Sequence, residues 1–175
     1  MKYLFFSISA SVLLHFNAMA QSTDTLFIQA HITKLTHAKE YTLKVAELMP
    51  EEKYSYQPSK EEMSFGEQLL HIGDNLTWLS STHLSKKEAP LKDTANKSPG
   101  KKKVIAWVIA AYDYAIESLQ QFDLKELSTT VKFFAGPMSK LQIINLIQDH
   151  QTHHRGQILV YLRLNGIKPP AYTGW

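Results

Sequence analysis

The sequence contains no cysteine. Disulfides, thiolate ligands and thiol nucleophiles are therefore excluded, and any metal must be held by histidine, carboxylate or water. Strand-period alternation of polar and apolar residues is missing as well, which points away from a sheet protein. No apolar run is long enough for a comfortable membrane span, since the longest, Tyr3 to Leu14, has about a dozen residues. Charge is modest at +3, and the basic residues do not form an aromatic-interleaved stripe, so no nucleic-acid partner is expected.

What is present begins with a leader. Met1-Lys2 is a short basic start, the apolar run follows, and Ala18-Met19-Ala20 has the small-x-small form of a cleavage site. These features predict a secretory signal over residues 1–20, cleaved after Ala20, and a mature domain over residues 21–175 that is periplasmic or secreted. An uncleaved N-terminal anchor is the alternative. Cleavage removes Lys2 and no acidic residue, lowering the formal charge from +3 to +2. No cysteine follows the signal, so there is no lipoprotein anchor, and no stable membrane insertion is expected of the mature chain.

Apolar residues recurring at three- and four-residue spacing predict four helices. The first covers Thr23 to Met49, with Thr23 or Asp24 as its cap, and stops at Pro50. An ordered loop with Tyr54, Tyr56 and Pro58 leads to Ser64-Phe65-Gly66-Glu67, a capping box that opens the second helix. That helix carries the stripe Phe65, Leu69, Ile72, Leu76 and Leu79 and ends between Ser81 and His83; His71 falls on the stripe's edge, in line with Trp78. A lysine-rich connector spans Ser85 to Lys103. The third helix is predicted from Ser98-Pro99 through Val104, Val108, Ala111, Ala115 and Phe122. Residues 131–137 read as a short extended segment broken at Gly136-Pro137. A second capping box, Ser139 with Gln142, opens a last helix of about 26 residues that stops at Asn165-Gly166. The fold class is thus all-α: a four-helix bundle with long loops after helices 1, 2 and 3.

Within the last helix lies Asp149-His150-Gln151-Thr152-His153-His154-Arg155-Gly156-Gln157. His150 and His154 are four residues apart, which puts their Cβ atoms about 5–6 Å apart on one face. Two such imidazoles can converge on one metal ion, although an i,i+3 pairing through His153 is also compatible with helix geometry. Both histidines fall in the interior stripe with Ile143, Ile147 and Ile158, where each imidazole needs a partner. A third ligand must come from elsewhere. His31 and His37 in the first helix are not expected to bind metal: His31 could face the interior and His37 looks solvated. Asp74, one turn from His71, reads as an orienting partner for it or as a surface carboxylate. Arg155 is expected to bond a neighbouring helix end or loop, and Gly156 to permit close helix approach.

The stretch Ser64 to His71, the His150-Gln151-Thr152-His153-His154-Arg155-Gly156-Gln157 core and the ending Tyr161 to Pro170 together resemble the DinB/YfiT family of metal-associated four-helix bundles. The resemblance covers essentially the whole mature chain. It implies a bundle, often dimeric, in which three histidines bind a divalent cation, nickel or zinc foremost and iron or manganese next. Carried over by motif, the ligands are His71, His150 and His154, with His153 outside the set. Relatives include transferases and isomerases that use low-molecular-weight thiols, and members without known activity; those thiols belong to the cytoplasm, so export shifts the expectation toward hydrolysis or an unrecognised reaction. Three neutral imidazoles leave coordination positions open, as in catalytic sites, where a bound water becomes a nucleophile near neutral pH. The readings are a metal-dependent hydrolase or transferase acting on a small molecule, or a metal-binding bundle without turnover. A lysine-loop module for anionic surfaces is the third.

Overall fold

The computed structural model describes the backbone of residues 2–91 and 100–174, and side chains from residue 23 onward. Four long helices carry the architecture: α1 (Lys2–Leu48), α2 (Phe65–His83), α3 (Lys101–Gln120) and α4 (Lys140–Leu164). Helices α1 and α2 each pack on α3 and α4, whereas α1 and α2 face each other across a diagonal, as do α3 and α4. Successive helices α1 and α2 are therefore not neighbours, and the chain must cross the end of the bundle between them. That crossing is the physical reason for the long first loop.

The loop is held at both ends. Tyr54 donates its hydroxyl to the Ala46 carbonyl at 2.8 Å, and the carbonyls of Tyr54 and Tyr56 accept from the amides of Gly66 and Phe65 at the start of α2. Lys101, at the start of α3, donates to the carbonyls of Glu47 and Met49 at 2.7 and 3.0 Å. Its ammonium thus satisfies carbonyls at the end of α1, where a cation also complements the helix dipole.

Two helix starts match expectation closely. Ser64 and Glu67 form a reciprocal capping box on α2, and Ser139 and Gln142 form one on α4. The α4 stop matches too: Gly166 has φ +72°, a conformation that glycine adopts without a Cβ penalty. Two other starts differ. The first helix does not begin at Thr23 or Asp24 but runs unbroken from Lys2, because neither proline nor glycine occurs before Pro50. The third begins after Gly100, which caps it without a side-chain bond; Ser98 and Pro99 lie outside the described residues. The segment expected to be extended over residues 131–137 is strand only at Val131: β1 (Thr130–Val131) pairs antiparallel with β2 (Met138–Ser139), and residues 132–137 form the loop between them, turning at Gly136 with φ +116°. Among the described residues no helix is long and apolar enough to cross a membrane.

The predicted stripes form the core. Phe65, Leu69, Ile72, Leu76 and Leu79 of α2 are buried against Leu35, Val45, Val108, Ala111, Ile143, Ile147 and Ile158. A polar seam crosses this interior. Thr42 donates to the Tyr112 oxygen at 3.0 Å, Tyr112 donates to Gln151 Oε1 at 2.9 Å, and Arg155 donates to the same oxygen. Arg155 is only 3% exposed and lies 5.4 Å over the Tyr41 ring. It therefore bonds side chains of its own helix and an aromatic face, not the helix end or loop expected for it; burial forces a guanidinium to find acceptors and π density close by. Gly156 is also corrected: a Cβ there would meet nothing within 4 Å, so no helix closes on it. Gly73 is where close approach occurs, since a Cβ would come within 2.5 Å of Trp107 Nε1.

Candidate metal centre

The middle of α2 and the middle of α4 meet at three histidines. His71, His150 and His154 each offer one ring nitrogen, and these nitrogens lie within 4.8 Å of one another. The ring centroids are 4.5 Å apart for His71–His154 and His150–His154, and 4.9 Å for His71–His150. Periodicity alone leaves His71 on the edge of its helix; packing of α2 on α4 turns that edge toward the pair. His153 stands outside the cluster, exposed, with its Nε2 2.9 Å from Gln157 Nε2. His31 is bonded to the Phe27 carbonyl and to Asn145, and His37 is half-buried, not solvated.

Hydrogen bonds set the tautomer of one imidazole. The Met63 carbonyl can only accept, so Tyr161 donates its hydroxyl proton there at 3.0 Å. The Tyr161 oxygen then accepts from Gln68 Nε2 at 3.4 Å, and the same amide group also donates to Gln157 Oε1. This leaves Gln68 Oε1 facing His154 Nδ1 at 2.6 Å. An amide oxygen only accepts, so His154 Nδ1 carries the proton and Nε2 keeps its lone pair for the cluster. Gln68 is 1% exposed and locked by packing. Sequence reasoning missed it, although a glutamine inside the stripe between Phe65 and Leu69 is a signal that a polar group is needed there.

The electrostatics favour neutral rings. Burial lowers the His150 pKa to about 4, with smaller contributions from His71 and His153. Burial also lowers His154 to about 4, helped by His150, His71 and His153. At neutral pH both are unprotonated, the form that ligates metal. His150 Nδ1 is buried without a hydrogen-bond partner, an arrangement that costs stability unless another acceptor of its lone pair or proton is supplied. Three imidazoles, one oriented by an amide and one with an orphaned nitrogen, fit a divalent cation of the zinc or nickel type.

Beside the histidines opens a cavity of about 700 Å³. His71 and His150 line it, together with Asp74, Asn75, Trp78, Leu146, Met138 and residues 133–135 of the hairpin. Asp74 Oδ1 accepts from Trp107 Nε1 at 3.0 Å, which ties this carboxylate to α3. Asp149 is exposed. The aromatic wall of Trp78, Phe133 and Phe134 is the other feature that sequence reasoning did not assemble; the adjacent phenylalanines before Gly136-Pro137 carried the signal.

Comparison with known proteins agrees with this fold. A family model described as DinB family matches residues 19–175. The chain is similar to the uncharacterized protein YjoA of Bacillus subtilis strain 168, 24% identical over 133 residues that span 75% of this chain and 86% of that protein. In structure it is similar to a DinB-like protein from Bacillus cereus ATCC 10987, with TM-score 0.69, 24% identity, and coverage of 82% of this chain and 96% of that one. The structure of YjoA itself gives TM-score 0.67 at 18% identity, with the same coverage. These likenesses carry the fold.

Proposed function

The chain belongs to the DinB family, and on that premise we propose that it is a divalent-metal enzyme, a hydrolase or transferase acting on a small molecule at the His71, His150 and His154 centre. The observation that carries the reading is the convergence of three imidazoles from two helices at the wall of a sizeable cavity. Three protein ligands leave positions open to a substrate, unlike a closed structural site. A cation held there, zinc or nickel first, supplies Lewis acidity toward a carbonyl or phosphoryl oxygen and acidifies water. The chain's own residues do the rest: Gln68 fixes His154 with Nε2 forward, burial keeps His150 and His154 unprotonated, and the apolar walls thin out competing water. The leader over residues 1–20 supports export, and with it hydrolysis over thiol transfer.

Metal content tests this directly. The untagged chain from Gln21 onward should carry about one divalent ion, and the His150→Ala/His154→Ala double variant none. Wild-type protein that stays folded and cannot be loaded would overturn the reading. If metal is present, an ester, amide and phosphoester screen should give turnover that chelation abolishes. A second reading, metal binding without turnover, is favoured by one observation: Asp74, the carboxylate lining the cavity, already accepts from the Trp107 indole. It predicts a loaded protein that chelation destabilises and that turns over nothing.

A further inference from the structure

We infer that the cavity beside the histidines takes a small molecule whose body is flat, apolar and free of negative charge, held by Trp78, Phe133 and Phe134. For the polar head of that molecule the inference rests on the metal reading above; for its body it does not. Trp78 is seven residues beyond His71 on α2, hence two turns along the same face. Phe133 and Phe134 come from the hairpin and lie against it, with ring centroids 5.7 and 6.3 Å from Trp78 and interplanar angles of 29° and 27°. Near-parallel faces of this kind offer a flat partner offset-stacked contacts. Yet the rings are far from buried, Trp78 being 42% and Phe134 84% exposed. Such a patch continuous with a cavity marks an apolar binding surface rather than core.

Charge narrows the class. Among the described residues no lysine or arginine lines the cavity, whereas Asp74 does. Without metal, an anionic body would find no cationic partner among the described residues, and the carboxylate would repel it across walls of low dielectric. The bond from the neutral Trp107 indole leaves the Asp74 charge in place, so the lining discriminates against negative charge alone. A neutral body meets no such penalty, and a volume of about 700 Å³ suits a molecule of drug size.

Two probes that differ by one sulfonate test this on the full chain without metal: N-phenyl-1-naphthylamine and its anionic counterpart 1-anilinonaphthalene-8-sulfonate, each titrated by fluorescence. The neutral probe should saturate one site and bind at least about tenfold more tightly than the anion. Trp78→Ala and Phe133→Ala/Phe134→Ala should each weaken it about tenfold, while far-UV circular dichroism stays unchanged. Phe134→Ala alone, at the most exposed ring, keeps the test valid if the double variant misfolds. Equal or tighter binding of the anion, or neutral-probe affinity indifferent to all three substitutions, would overturn the inference. So would absence of probe uptake together with a two-chain mass by light scattering that falls to one chain in Phe133→Ala/Phe134→Ala, because a second copy would then cover the rings. The His150→Ala/His154→Ala variant separates the two readings: lost metal loading with retained probe affinity is the expected pattern. Failure of wild type to load metal leaves the aromatic site standing, and metal loading without aromatic dependence overturns it alone.

Discussion

A metal site is decided at individual atoms, and here the atom at issue is His154 Nδ1. Its proton is held by Gln68 Oε1, whose own orientation is set by donors running through Tyr161 to a backbone carbonyl. Gln68→Leu should therefore weaken metal binding about 10–100-fold, in the range known for lost orienting partners, when read by competition with a chromogenic chelator. Gln68→Glu keeps an acceptor and should lose much less. Protonation gives a second expectation. His150 and His154 titrate near 4 in the folded chain against 6.5 in the unfolded one, so between those values the unfolded chain binds more protons. Stability of the metal-free protein should thus be full above about pH 6.5 and fall as pH drops toward about 4. Urea midpoints across pH 7 to 4.5 check this, and the slope should flatten in His150→Asn/His154→Asn; an unchanged slope would contradict the burial argument.

On the scale of helices, two glycines make opposite predictions. Gly156 lies within α4, and a Cβ there meets open space, so Gly156→Ala should stabilise the fold by about 0.5–1 kcal/mol by restricting the unfolded chain. Gly73 lies within α2 under the Trp107 indole, 2.5 Å from where a Cβ would stand. Gly73→Ala must displace that ring and with it the bond to Asp74, so it should destabilise by about 1–3 kcal/mol. Thermal unfolding of both variants decides, and like signs would mean that the packing of α2 on α3 is misassigned. At this scale expectation and structure agree where the signal is local. Each capping box involves residues three apart, and Gly166 supplies its own backbone conformation. They diverge where the signal is an absence, as at Thr23, where nothing in the chain breaks the helix.

For the whole molecule, a cation held by the three histidines would clamp α2 to α4 across 79 to 83 residues of chain, His71 to His150 and His154. A cation bound only by the folded state adds stability through mass action, about 2.7 kcal/mol at a hundredfold excess over Kd. Zinc should raise the melting temperature of the wild type and leave His150→Ala/His154→Ala unmoved; equal shifts in both would place the ion elsewhere.

The sequence by itself determined the four helices, most of their ends and the His150–His154 pair. These depend on period and on neighbours within one turn, which a helix enforces wherever it sits. The family motif added His71, which periodicity left at the edge of a stripe. Only the tertiary structure decided that His71 turns inward, that Gln68 fixes a proton on His154, that Arg155 rests on Tyr41, and that Trp78 meets Phe133 and Phe134. Each of those depends on how one helix or hairpin is rotated against another, and that rotation follows from the packing of the whole core, which no local spacing encodes.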